Sequence, residues 1–258
     1  MQFNLENKKI NYKPKIVVAV AGYSFTPNFV FSWSKFTVSV ANTQKVELTY
    51  TNAYSPNIYH CRNILLGGNN LAGEYQPPWQ NKFDYDYIVF IDTDQVFEPE
   101  QVYKLVDTME TNPDIEVLAG IYCMADGHLS TVILDWDEQY FSQNGRFEFK
   151  TPAELQELAL EMPRNLVQAF YGGLGFSVFR KGVFDKLKYP WFEPLTHKVG
   201  MGTDLMGEDV SLFYKMNQAG IKFWIDPYIY VGHEKYQVLK PMGYVPPHLN
   251  PDGTPKNS

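Results

Sequence analysis

Cysteine is scarce in this 258-residue chain, which holds only Cys61 and Cys123. Two cysteines so far apart match no metal-ligand spacing and do not indicate the disulfide framework of a small secreted protein. Long apolar runs are also absent, since no segment approaches the roughly 18 residues that a membrane-spanning helix needs. The segment 1–15 is polar and lacks the apolar stretch of a signal peptide. These absences predict a soluble, cytoplasmic protein.

Positive charge is in short supply as well. The chain has 22 Lys and Arg against 29 Asp and Glu, a formal net charge of −7 at pH 7. This balance disfavours a general surface for nucleic acids, although a local basic pocket is compatible with it. Hydrophobic residues make up 45% and aromatic residues 16% of the chain, a composition typical of a folded domain with a sizeable core.

The first half alternates between strand and helix patterns. Apolar runs rich in Val and Ile predict strands over 16–22, 45–50, 87–91 and 115–122. Helical spacing of apolar residues predicts a helix from Phe29 to Val40, a short one around Cys61 and a third from Pro99. Repeated β-then-α order indicates an α/β fold with a Rossmann-like, mostly parallel central sheet and flanking helices.

The second half is less regular and predicts a small, irregular β region beside the main sheet. Two β segments, 131–136 and 146–149, flank a predicted turn at Asn144-Gly145. Thr151, Pro152 and Glu154 have the spacing of a capping box at the start of a helix. A strand over 166–171, a helix over 208–219 and a last strand over 221–225 follow. The tail 237–258 is rich in proline, and the whole chain is expected to form one domain.

The most informative segment is Asp92-Thr93-Asp94, which follows the apolar run 87–91 directly. Open α/β sheets bind ligands at the carboxyl ends of their parallel strands. Carboxylates are too costly to bury unpaired, and clustered carboxylate oxygens are natural ligands of hard divalent cations. The segment therefore predicts a metal site. Helix capping is the alternative for Asp94, because a helix is predicted to begin at Pro99.

Two further polar clusters follow predicted strands or open predicted helices. Glu208 and Asp209 stand at the start of a helix, where a catalytic role competes with simple stabilisation of the helix dipole. His233 and Lys235 come just after the last predicted strand. A lone histidine is more often structural than a ligand, so a metal-binding role for His233 competes with a structural one.

Arg62-Asn63 lies on the short helix, where an arginine is usually just solvated, and Gly172-Gly173-Leu174-Gly175 follows a predicted strand. In their order, the clusters resemble the motifs of nucleotide-sugar-dependent glycosyltransferases of the GT-A fold. Asp92-Thr93-Asp94 is similar to the family's D-x-D motif, and Arg62-Asn63 to its A-R-N segment, with Cys61 replacing the small residue. The glycine loop resembles the acceptor-side loop, and Glu208-Asp209 the E-D pair that follows it.

The resemblance covers roughly residues 15–236 and implies a single catalytic domain within the chain 1–258. Its nucleotide-binding half would span about 15–125 and its acceptor half about 126–236, before the Pro-rich tail. The implied reaction is metal-dependent transfer of a sugar, a hexose in the first instance, from a nucleoside-diphosphate sugar to an acceptor hydroxyl. A UDP-sugar is the favoured donor.

The resemblance also implies roles for individual residues. Mn²⁺ or Mg²⁺ would be bound by Asp92, Asp94 and His233. Asp209, with Glu208 beside it, would be the general base of an inverting enzyme, or would only position groups in a retaining one. The residues expected to bind the nucleotide sugar are Ala21, Gly22, Tyr23, Arg62, Asn63, Asp92, Thr93 and Lys235. Those expected on the acceptor side are Gly172, Gly173 and Trp191.

Three alternatives remain open on the sequence. The run 88–96 also fits the signature of haloacid-dehalogenase-like phosphatases, although that family opens its domain with the motif. A sugar nucleotidyltransferase is the second alternative, and a carbohydrate-binding module without catalysis is the third. The acceptor could be a glycan, a protein, a lipid-linked sugar or a modified nucleobase, and a bacterial or virus-infected cell is the expected setting.

Overall fold

The computed structural model describes residues 12–236, a mixed α/β arrangement. Its strands are β1 (Lys15–Ala21), β2 (Glu47–Ala53), β3 (Tyr87–Ile91), β4 (Gln95–Val96), β5 (Val117–Ile121), β6 (Val167–Ala169), β7 (Phe176–Arg180), β8 (Thr196–Val199), β9 (Gly202–Leu205), β10 (Phe223–Tyr230) and β11 (Gly232–His233). Its helices are α1 (Pro27–Thr43), α2 (Ile58–Leu65), α3 (Pro99–Thr111), α4 (Glu138–Asn144), α5 (Pro152–Leu160) and α6 (Glu208–Gln218).

The central sheet has seven strands in the order β2-β1-β3-β7-β5-β10-β6. Strand β1 pairs in parallel with β2 and β3, and β5 pairs in parallel with β10. Only β7 and β6 run against this direction. The mostly parallel, Rossmann-like sheet with flanking helices predicted from the sequence is therefore confirmed. Its parallel strands end at one edge, which carries the polar clusters.

Strand β7 was not predicted from the sequence, although it lies at the centre of the sheet. It separates β3 from β5 and is antiparallel to both. Its residues are almost entirely buried, and the Ser177 hydroxyl donates to the Leu174 carbonyl at 2.7 Å. The strand is only five residues long and contains a polar residue, so its short pattern gives no clear period. Its pairing depends on strands distant in sequence.

Two hydrophobic cores cover the two faces of the sheet. Successive side chains of a strand point to opposite faces. Accordingly, Val17 and Ala19 of β1 belong to one core, while Ile16, Val18 and Val20 belong to the other. The first core packs residues of α5 and α6, and the second packs residues of α1 and α3. Both layers hold the strand ends in a fixed relation, which a site built on those ends requires.

The β-turn predicted at Asn144-Gly145 is wrong, because Asn144 is the last residue of helix α4 and Gly145 is its C-cap. Asp137 caps α4 by accepting a hydrogen bond from the Tyr140 N–H at 2.8 Å. Gly145 ends that helix in the left-handed region at φ 69°, as a C-terminal glycine commonly does. The flanking segments form β-bridge hydrogen bonding with each other only at an isolated bridge between Ile133 and Phe149. The irregular β region is instead supplied mainly by the hairpin of β8 and β9.

The remaining predictions at the ends of the chain fall outside the described part. The Pro-rich tail 237–258 and most of the polar segment 1–15 are not among residues 12–236. Within those described residues, none of the helices combines the length and the apolar character needed to cross a membrane. The capping box of α5 is present as predicted, with Thr151 and Glu154 bonded to each other's backbone N–H groups.

Arg180, at the end of β7, ties the central strand to helix α3, and its loss should destabilise the fold. Its guanidinium donates to the carbonyls of Ile115, Met109 and Asn112 at 3.0, 2.6 and 3.2 Å. Arg180→Met removes the guanidinium donor from all three carbonyls, so we expect the free energy of unfolding in urea to fall by about 2 kcal/mol or more. Lys181→Met is the matched control, because the exposed Lys181 ammonium forms a surface ion pair with exposed Asp84. Equal losses in the two variants would contradict this role.

Candidate active site

The D-x-D segment is anchored on both sides at the carboxyl end of β3. The Asp92 N–H donates to the Gly175 carbonyl at 2.9 Å. The Thr93 carbonyl accepts from the N–H of Thr26, the residue that caps α1, at 3.0 Å. The segment is therefore held between the glycine loop and the start of α1. This anchoring fixes the two carboxylates at the ligand-binding edge of the sheet.

Arg62 is the buried cation of the site, with 4% of its surface exposed. Its Nη2 donates to Asp92 Oδ1 at 2.8 Å, and its Nε donates to Glu208 Oε1 at 3.4 Å. Burial lowers the pKa of Arg62, but Asp92 and Glu208 outweigh it and raise that pKa overall. Arg62 therefore neutralises the protein's own carboxylates, and its expected part in binding the nucleotide sugar stays a prediction. Its buried Nη1 has no hydrogen-bond partner among the described residues.

Glu208 and Asp209 open helix α6, whose N-cap is Gly207. Asp209 Oδ1 accepts from the Val210 N–H and Oδ2 accepts from the Tyr171 hydroxyl, both at 2.7 Å. Burial raises the pKa of Asp209, and burial together with the neighbouring Asp209 charge raises that of Glu208. The contact with the Val210 N–H in the first turn of α6 accounts for one oxygen of Asp209 only. The side-chain contact and the raised pKa values are features of functional carboxylates.

Asp94 belongs to a second cluster, separate from Arg62. Its Oδ2 accepts from Lys235 Nζ at 2.6 Å and lies 3.2 Å from His233 Nε2. Pairing of β4 with β11 and a hydrogen bond from the Glu234 N–H to the Asp94 carbonyl bring these residues together. Burial raises the pKa of Asp94, but the hydrogen bonds from His233 and Lys235 outweigh it and lower that pKa to about 2.

The donor chemistry around Asp94 fits a divalent cation in part. His233 Nδ1 lies 2.8 Å from the Cys123 carbonyl, which can only accept, so Nδ1 carries a proton. Nε2 faces the Asp94 carboxylate and pairs with it when protonated, so it would have to lose that proton to act as a metal ligand. Asp94 adds a carboxylate oxygen beside it. Asp92 is engaged by Arg62 instead, and no group of three or more His, Cys, Asp or Glu side chains able to hold a metal occurs in residues 12–236. Two of the three predicted metal ligands are therefore adjacent.

Tyr122 contacts both clusters and was not among the site residues predicted from the sequence. Its hydroxyl accepts from the Gly175 N–H at 3.1 Å, and its ring meets the His233 ring edge-on at 4.9 Å. A Cβ at Gly173 would lie 1.8 Å from that hydroxyl, so this position must be glycine. Tyr122 and Tyr171 each end a strand predicted from the sequence. For Tyr122 that position, at the carboxyl end of the parallel strand β5 and hence at the same sheet edge as Asp92, was the available signal. Tyr171 follows the antiparallel strand β6, so no such signal pointed to it.

Three residues expected to contact substrates have interior roles instead. Asn63 Oδ1 accepts from the Trp191 N–H at 2.9 Å, and Nδ2 donates to the carbonyls of Tyr59 and Phe192 at 2.8 and 2.7 Å. Asn63 therefore fastens helix α2 to the segment 191–192, and its side chain is buried by these contacts. Trp191 itself is fully buried. A Cβ at Gly172 would lie 2.8 Å from the Phe223 ring, so Gly172 serves core packing.

The end of β1 provides an open aromatic surface. Gly22 adopts φ 135°, a region that disfavours other residues, and its N–H donates to the Ala53 carbonyl at 2.9 Å. Tyr23 beyond it is 74% exposed, and its ring meets that of Tyr54 edge-to-face at 4.4 Å. The exposed Tyr23 ring has a free face, and the role of Ala21, Gly22 and Tyr23 in binding the nucleotide sugar stays a prediction.

Comparison with known proteins identifies similar folds but no sequence relatives. No protein-family model matches the chain, and no curated protein matches it in sequence. A crystal structure of A197 from STIV has 16% identity and a TM-score of 0.49, covering 88% of this chain and 97% of that one.

Two solved glycosyltransferase structures are also similar in fold. GalNAc-T7 with UDP, GalNAc and Mn²⁺ has 13% identity and a TM-score of 0.48, covering 91% of this chain and 45% of that one. Glucosyl-3-phosphoglycerate synthase from Mycobacterium tuberculosis, with Mn²⁺, UDP and phosphoglyceric acid, has 15% identity and a TM-score of 0.42, covering 87% and 72%. At these values the likenesses carry no argument about ligands or activity.

Asp94 should stabilise the protein in a pH-dependent way. Its pKa is lowered from 3.8 to about 2, so its contribution is present above about pH 4 and is lost as pH falls towards 2. We expect the difference in free energy of unfolding between wild type and Asp94→Asn to narrow as pH falls from about 5 to about 2.5. Urea unfolding at several pH values measures it. The difference in free energy of unfolding between wild type and Lys235→Met should narrow over the same pH range, because this variant removes the same ion pair. A constant difference would contradict the pairing.

Proposed function

We propose that this protein is a metal-dependent glycosyltransferase that moves a sugar from a nucleoside-diphosphate sugar, in the first instance a UDP-hexose, to an acceptor hydroxyl. One observation carries the proposal. Acidic groups from the end of β3 and the start of α6 converge on buried Arg62, beside a separate Asp94–His233–Lys235 cluster. Such an edge offers one place for a charged leaving group and another for proton transfer.

The Asp94 cluster is suited to the diphosphate. Asp94 and His233 would hold Mn²⁺ or Mg²⁺, since carboxylate oxygens suit both ions and an imidazole nitrogen suits Mn²⁺. When bound, such a cation would supply charge neutralisation at the leaving diphosphate. Lys235 is 44% exposed at its side chain, so it is free to leave Asp94 and bind a phosphate oxygen. Tyr23 is suited to stack against the nucleobase.

The Asp209 cluster is suited to the acceptor. A carboxylate whose pKa is raised by burial accepts a proton more readily at neutral pH than an ordinary aspartate does. Asp209 would take the proton of the acceptor hydroxyl in an inverting reaction, and would orient the acceptor or sugar in a retaining one. Glu208 and Asp92 share the charge of Arg62, which keeps the clustered acids compatible with one another.

The alternatives account for fewer of these contacts. Two β-α units precede β3, whereas a haloacid-dehalogenase-like phosphatase opens its domain with the acidic strand. A sugar nucleotidyltransferase needs a phosphate-binding loop, and no Gly-rich loop followed by Lys comes after β1. A carbohydrate-binding module has no use for partly buried acids with raised pKa values, which are costly to maintain.

Donor binding should depend on a divalent cation. In a thermal-shift panel of UDP-, GDP-, CMP- and dTDP-sugars, we expect one nucleotide class to raise the melting temperature with Mn²⁺ present and to lose that effect in EDTA. Asp94→Asn and His233→Ala should lose the Mn²⁺-linked shift. Glu47→Gln, on the exposed start of β2, is the control and should retain it. Metal-independent binding of every donor would refute the proposed donor site.

Asp209→Asn should separate turnover from binding. Asn cannot take a proton at neutral pH, so we expect kcat to fall by about two to four orders of magnitude while donor and Mn²⁺ affinities stay nearly constant. Asn offers one acceptor oxygen to two donors, so the variant's unfolding must be measured alongside. Near-normal transfer by a folded Asp209→Asn protein would reduce Asp209 to a helix cap.

A further inference from the structure

The Asp209 carboxylate accepts hydrogen bonds from two different parts of the fold. Val210, its neighbour on α6, provides a backbone N–H at 2.7 Å from Oδ1. Tyr171 provides a hydroxyl at 2.7 Å from Oδ2 and comes from the segment just after β6. Donors on both oxygens fix the plane of the carboxyl group, since rotation about the Cβ–Cγ bond would break both hydrogen bonds. Each carboxylate oxygen keeps a further lone pair for another partner.

Tyr171 is itself held rigidly. It is 9% exposed, and its backbone exchanges hydrogen bonds with Ile133 at 3.0 and 3.2 Å. Its ring stands perpendicular to that of Phe213 on α6, with 5.5 Å between centroids. The hydroxyl is therefore carried on a side chain that is anchored by backbone pairing at one end and by α6 at the other. A donor with so little freedom orients its acceptor well.

The charged surroundings give the hydroxyl a second effect. The titratable groups that face Asp209 come from α2, from the ends of β3 and β5, from the segment after β6 and from α6 itself. They are Tyr59, Arg62, Asp92, Tyr122, Tyr171 and Glu208. Burial raises the pKa of Asp209, while the Tyr171 hydrogen bond lowers it. The hydroxyl thus favours the ionised carboxylate, which is the form a base needs.

We propose that Tyr171 is a positioning residue that orients the Asp209 carboxylate and keeps it ionised through a hydrogen bond from its hydroxyl. The inference rests on the proposed function for its catalytic meaning, but the hydrogen bond and its effect on Asp209 are measurable without any transfer reaction. Tyr171 does not touch the reacting atoms in this role; it acts through Asp209.

The test is Tyr171→Phe, which keeps the ring against Phe213 and removes only the hydroxyl. Protein labelled with ¹³C at the aspartate carboxyl carbons is titrated by NMR, and the Asp209 signal is identified by its loss in Asp209→Asn. We expect the titration midpoint of Asp209 to rise by about one pH unit in Tyr171→Phe. Tyr214→Phe is the matched control. Tyr214 lies on α6, as Asp209 does, but its ring packs against Trp136 and Phe170. An unchanged midpoint in Tyr171→Phe, or an equal rise in both variants, would overturn the inference.

Kinetics give a second readout. In Tyr171→Phe, the acidic limb of the kcat–pH profile should move up with the NMR midpoint while the donor KM is unchanged, a split that simple loss of packing would not produce. Suppose that the wild-type protein transfers no sugar, while the Asp209 midpoint still rises in Tyr171→Phe. That result would refute the proposed function and leave the positioning role of Tyr171 intact. A midpoint rise without any movement of the kcat profile would refute Tyr171's part in turnover.

A double variant keeps the inference testable should Tyr171→Phe fold poorly. In the double variant, residue 209 is an uncharged Asn, so removing the Tyr171 hydroxyl takes no donor from a negative charge at that position. If the hydroxyl acts through the carboxylate, its removal should lower the melting temperature less in the Asp209→Asn background than in wild type. Equal losses in the two backgrounds would show that Tyr171 acts independently of Asp209 and would overturn the inference.

Discussion

Burial of the Arg62 guanidinium among carboxylates is the constraint on which the site depends. A cation that is 4% exposed loses most of its hydration, and only nearby negative charge compensates for this loss. Asp92 and Glu208 provide that charge from two elements far apart in the chain. The pairing therefore fixes the distance between the end of β3 and the start of α6. Removing Arg62 would leave the two acids clustered without their cation.

The glycine loop allows these elements to approach. A Cβ at Gly175 would lie 2.7 Å from Asp92 Oδ2, and a Cβ at Gly173 would overlap the Tyr122 hydroxyl. Only glycine lets the chain pass between Asp92 and Tyr122 before it enters β7. The antiparallel central strand, the glycine loop and the buried acids are thus one structural unit. Helix α6 then delivers Asp209 to the Tyr171 side of that unit.

Much of this fold follows from local patterns. The strand over 87–91, the α5 capping box and the acids at the strand end were predicted because each depends on a few neighbouring residues. The predictions failed where the outcome depends on distant partners. Strand β7 exists because β3 and β5 flank it, and Arg62, Asn63 and Trp191 acquired interior roles through contacts more than a hundred residues away or across the sheet. Spacing alone does not encode such pairings.

The two acidic clusters have opposite electrostatic character, and this contrast supports a division of labour between them. Lys235 and His233 outweigh burial at Asp94 and hold its pKa at about 2, so that this carboxylate is charged at any physiological pH, as a cation ligand should be. Burial dominates at Asp209 and raises its pKa, as suits a group that exchanges protons. Tyr122 contacts both His233 and the glycine loop and so lies between the two environments. Because the contrast arises from cationic partners at Asp94 and from burial at Asp209, the surroundings of each acid, and not its place in the sequence, decide its proton affinity.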